Sequence, residues 1–90
     1  MNKETAEQIV GQVLACIDNL NEAVEIANAK CAEAEARVVR HAVGHALSEM
    51  YDRLMDPIFR EYPDLVPQGI DYAPREGPTL GQMANPGTEK

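Results

Sequence analysis

Tryptophan is missing from this chain, and phenylalanine occurs once among its 90 residues. Three tyrosines complete the aromatic set. Rings supply much of the bulk in a monomeric core, and a chain this short lies near the lower limit for a self-sufficient one. Small chains of this kind recover stability by associating, by disulfides or by a metal. Two cysteines, Cys16 and Cys31, build no disulfide framework of the secreted type. Association is therefore the expected route.

Basic residues are also scarce. Eight lysines and arginines face fifteen acids, for a net charge of −7. The imbalance is steepest in residues 1–29, where Glu4, Glu7, Asp18, Glu22 and Glu25 face Lys3 alone. No basic patch exists to neutralise phosphates, so direct nucleic-acid binding is not expected. Such acidity suits solubility, or attraction of a basic protein partner. No apolar run approaches the roughly 20 residues that span a bilayer. The stretch "MNKETAEQIV" lacks a basic region followed by an apolar one, so no signal peptide is expected. A cytoplasmic, reduced protein is the expectation.

Glycine and proline are absent from Gln12 to Val43, a span rich in alanine, glutamate and other helix formers. Thr5 and Gln8 offer a capping-box start. From there Ala6, Val10, Val13, Ile17, Leu20, Val24, Ala27 and Cys31 recur at alternating spacings of four and three, flanked by Ile9 and Cys16. That is the apolar seam of a packed helix. A second stripe, Val39, Val43, Ala46, Leu47, Met50, Leu54 and Ile58, does not continue the first in phase. The shift falls within "NAKCAEAE". A turn at Asn28–Lys30 giving an antiparallel hairpin is the favoured cause, and a stutter in one continuous helix is the alternative.

Pro57 is expected to end the long helix, with Asp56 as N-cap of a short extra turn through Arg60 or Glu61; a kink within one helix is the alternative. Five of the six prolines and four of the six glycines fall in residues 63–90. This segment reads as an irregular tail. Leu65, Val66, Ile70, Tyr72, Leu80 and Met83 are its candidate anchors. Its first ten or so residues are expected to dock and its last ten to be mobile. The domain division is thus a helical hairpin over 1–62 and a partly docked tail over 63–90.

Four groups of residues bear on possible chemistry. His41 and His45, with Glu49 one turn on, form a column that could hold a divalent ion. The intervening residues supply no general base, and Ser48, Asp52 and Asp56 share that side of the helix, so a solvated polar face is the plainer account. Cys16 and Cys31 are expected to act as small core hydrophobes rather than nucleophiles. Glu33–Arg37, Glu49–Arg53 and Asp56–Arg60 are acid-then-base pairs that support a helix at i, i+4 by roughly 0.2–0.5 kcal/mol each. Gly44, near the edge of the second stripe, could admit a neighbouring backbone, and the tail glycines make no phosphate loop.

The expected fold is all-α: a hairpin of two long amphipathic helices that dimerises into a four-helix bundle. The expected interface comprises Val10, Val13, Ile17, Leu20, Val24, Val39, Val43, Leu47, Met50 and Leu54. The expected function is a non-enzymatic protein–protein interaction module, an adaptor or inhibitor of a partner protein, with no cofactor. The alternative is a divalent-metal-binding protein using His41, His45 and Glu49.

Overall fold

Two long helices lie antiparallel in the computed structural model, which describes residues 1–69 and 72–85. Helix α1 spans Lys3–Lys30 and α2 spans Glu33–Met50. A π-helical turn, Tyr51–Met55, carries α2 without a break into α3, Asp56–Glu61. A 3₁₀ turn at Pro63–Leu65 and a short helix α4, Leu80–Ala84, complete the secondary structure. No strand occurs among the described residues, and no described helix is long and apolar enough to cross a membrane.

The hairpin is present, but its turn lies at Cys31–Ala32 rather than Asn28–Lys30. Both turn residues are extended, with φ −104° at Cys31 and −62° at Ala32. No left-handed residue is needed, so the lack of glycine is no obstacle. The Cys31 amide donates to Ala27 O at 2.9 Å, and the Ala32 amide reaches Glu35 Oε1 at 3.4 Å. Lys30 in the last turn of α1, with Glu33 and Glu35 in the first of α2, complements both helix dipoles. Arg40 then ties the two helices, donating to Asn28 Oδ1 and Glu33 Oε2, each at 2.6 Å. Glu33 therefore pairs with Arg40, not with Arg37.

Three further expectations need correction. Helix α1 begins a turn earlier than Thr5: Asn2 is the N-cap, its Oδ1 accepting from the Thr5 amide at 2.8 Å. Both cysteines are exposed. Cys16 flanks the seam as expected but is left uncovered there, and Cys31 has already left the helix as its C-cap. Nor does the helix stop at Pro57. The Asp56 amide donates to Tyr51 O, five residues back, and this wider turn takes up the proline at the first turn of α3 without breaking the rod. The short turn expected from Asp56 through Glu61 is present as α3, joined to α2 rather than separated from it.

The core sits at the open end of the hairpin. Ala6, Val10 and Val13 of α1 meet Met55, Ile58 and Phe59, all buried. Tyr51, Tyr62 and Tyr72 pack against this cluster, so every aromatic residue of the chain is spent at one end. Tyr72 contacts the Phe59 ring edge-on at 5.8 Å and the Tyr51 ring at 5.5 Å. Leu65, Val66 and Leu80 pack there too. The tail anchor Ile70 lies outside the described residues, and Met83 is exposed.

Helix α3 holds the tail by its polar side chains. The Arg60 guanidinium donates to the carbonyls of Arg75 and Pro78, and Gly77 sits so close that a Cβ there would lie 2.9 Å from Arg60 Cζ. Arg60 thus serves the tail, not Asp56. The Glu61 carboxylate accepts from the Gly81 amide at 3.0 Å. Thr79 and Gln82 cap α4 reciprocally, at 3.1 and 2.8 Å. Of the last ten residues, expected to be mobile, 81–84 are helical and 86–90 lie outside the described residues. The N-terminus closes on the same region: Lys3 pairs with Asp64, and the Tyr62 hydroxyl donates to Met1 O at 2.8 Å. Desolvation first, then the neighbouring Glu61, push the Tyr62 phenol above its ordinary value.

Candidate functional site

Among the described residues, the half of the hairpin near its turn consists of α1 and α2 alone. Leu20, Val24, Val39, Val43 and Leu47 are half-buried there, as is Ile17, and among the described residues Ala27 and Ala36 are the buried ones at that end. Toward the open end, Val10 and Val13 are buried within the chain itself, while Met50 and Leu54 are half-buried against the core. Helical phase places Cys16, Leu20 and Ala23 of α1 on the same side of the hairpin as Val38, Ala42 and Ala46 of α2. All but Leu20 are exposed, Val38 at 68%. Ala46, expected within the second stripe, belongs to this flank. Asn28 and Arg40 occupy the opposite flank, where they stitch the helices together.

His41 and His45 are exposed on the outer face of α2. With Arg40, Gly44 and Ser48 they border a shallow, open surface depression. Glu49 is turned to Arg53, 2.5 Å away, and the Arg40 guanidinium brings positive charge to the histidine surface. Among the described residues, no three His, Cys, Asp or Glu side chains converge in a group suited to a metal. Gly44 has no atom near the position of a missing Cβ, so no backbone of this chain approaches it closely.

A more enclosed depression, of about 370 Å³, lies where α2 meets the tail. It is lined by Gly44, Leu47 and Ser48 of α2, by Tyr51, Asp52 and Asp56 from the π-turn and the start of α3, and by Tyr72, Ala73 and Arg75 of the tail. Sequence reading placed Ser48, Asp52 and Asp56 on a solvated face. The structure corrects this for Asp56, whose accessibility falls to 3%. The π-turn and the overlying tail bring it inside. Among the described residues Asp56 Oδ1 has no hydrogen-bond partner, and neither does the buried hydroxyl of Tyr72. Asp56 does not cap α3. Asp52 Oδ1 lies 3.7 Å from Arg75 Nη1, a loose pair whose arginine is 78% exposed. Behind Tyr72 a smaller apolar cavity of about 60 Å³ is lined by Leu14, Met55, Phe59 and Pro67, together with both tyrosines.

This depression was missed because its walls come from segments some twenty residues apart. The local signal is the column Gly44, Ser48, Asp52, Asp56 at spacings of four, ending just before Pro57. No known protein family, curated protein or solved structure matches the chain.

Proposed function

We propose that the chain is a small acidic interaction module that works without catalysis and pairs with a second copy of itself along the turn half of the hairpin. One observation carries this reading. The seam there is half-covered by a single chain, and beside it lies an exposed flank of small and apolar side chains: Cys16, Ala23, Val38, Ala42 and Ala46. Small side chains let helices approach closely. A two-fold partner on that flank would turn two helices into four and dry Leu20, Val24, Val39 and Val43. The exposed acids Glu22 and Glu25 would stay outside the contact, available to a basic partner protein.

Light scattering at micromolar concentration tests the pairing. The expected mass is twice the 9.9 kDa chain. Val38→Glu and Ala42→Glu should each return the protein to chain mass with its helicity intact, because both positions are solvent-exposed in one chain. A wild-type monomer would overturn the reading.

A further inference from the structure

We infer that the depression between α2 and the tail is a recognition site for a guanidinium group, supplied by an arginine side chain of a partner protein. A carboxylate at 3% accessibility with an unpartnered oxygen is a costly feature in a chain this small. It needs a donor, preferably a charged one, and Asp56 is among the residues that line the depression. Tyr72, which also lines the depression, carries a second buried oxygen with no partner among the described residues. The tilted Tyr51 and Tyr72 rings, 5.5 Å apart, border the space with aromatic surface that favours a cation.

Three observations choose the kind of cation. Hard divalent ions take six or more oxygen ligands, whereas the two carboxylates here already share the surroundings of Arg75. The chain's own guanidinium stands by Asp52, at 3.7 Å, too far for a hydrogen bond and largely in solvent. The charge of that group is therefore tolerated at the mouth while the interior acceptors stay unmet. A planar fork can stack on a tyrosine face and donate at its edge in one pose, which a lysine ammonium cannot do. Arg75 then acts as a weak intrachain competitor that an incoming arginine displaces.

The source of the cation as a partner protein rests on the interaction-module reading, but the site's chemistry does not. Light scattering and the following titration fail separately. The full-length protein is titrated with a capped glycine-arginine-glycine peptide, with N-acetyl-arginine amide, and with the citrulline form of each as a neutral isostere, followed by NMR and calorimetry. Saturable shifts of the Tyr51 and Tyr72 rings are expected with the arginine compounds only. Tighter binding of the peptide assigns a protein source, and equal binding of the two overturns that half of the inference. Asp56→Asn should weaken binding about tenfold or more, and Tyr72→Phe less. Arg75→Gln should tighten it several-fold. Thermal melts confirm that each variant is folded. No saturable change up to millimolar ligand, equal response to citrulline, or unchanged affinity in Asp56→Asn would overturn the guanidinium assignment.

Discussion

Asp56 departs from both parts of its local reading, as a helix cap and as a solvated side chain. Preceding a proline at the start of a helical turn, an aspartate ordinarily accepts from the backbone and remains wet. Here it caps nothing and lies buried among a tyrosine, a serine and a second aspartate. Burial of an unpaired carboxylate opposes folding. Asp56→Asn should therefore hold the fold at least as well as the wild type, gaining about 1 kcal/mol in urea unfolding. A loss of similar size would mean that the carboxylate is structurally satisfied in solution. A gain in stability paired with a loss of guanidinium binding would mark a position retained for recognition.

At the scale of elements, the π-turn and Arg60 together build the depression. The π-turn widens the helix just before Pro57 and keeps Ile58 and Phe59 directed into the core. Arg60 then secures Arg75 and Pro78 from the side, which holds the tail over Asp56. Arg60→Ala removes donors to two tail carbonyls while leaving the hairpin's own contacts in place. Amide hydrogen exchange should accelerate by tenfold or more in residues 73–84 of this variant, with α1 and α2 unchanged. Equal acceleration throughout would show that the tail and hairpin unfold as one unit.

Across the whole molecule, the two ends of the hairpin differ in kind. The open end holds every ring and the tail, and the turn end holds two helices and a line of alanines. The chain's N-terminus is fastened to the ring-bearing end by Lys3 and Asp64. Their hydrogen bond, then their charges, raise the Lys3 ammonium above its ordinary 10.5. The same hydrogen bond holds the Asp64 carboxyl below its ordinary 3.8, against a smaller desolvation effect. The sign follows for each group. Asp64's contribution is complete above 3.8 and fades as pH falls through its lowered value, and that of Lys3 is complete below 10.5 and fades as pH rises through its raised value. Both side chains are at least half exposed, so the effect is small and screened by salt. In an NMR titration, Lys3→Met should return the Asp64 carboxyl toward the ordinary range. An unmoved Asp64 would remove the tie.

The helices and the hairpin could be read from the sequence alone, because periodicity and the lack of breakers from Gln12 to Val43 are local properties. The phase slip between the stripes announced the turn within a few residues, and backbone geometry then chose Cys31–Ala32, where two extended residues suffice. The burial of Asp56, the exposure of the cysteines and the departure of Arg60 to the tail could not be read there. The first and the last depend on where residues 72–81 come to rest beside α2 and α3, which joins segments distant along the chain, whereas the cysteines are exposed by the turn at Cys31 and by the place of Cys16 on the uncovered flank. Local pattern determined which residues are helical; long-range packing decided which of their polar groups are shut away from water.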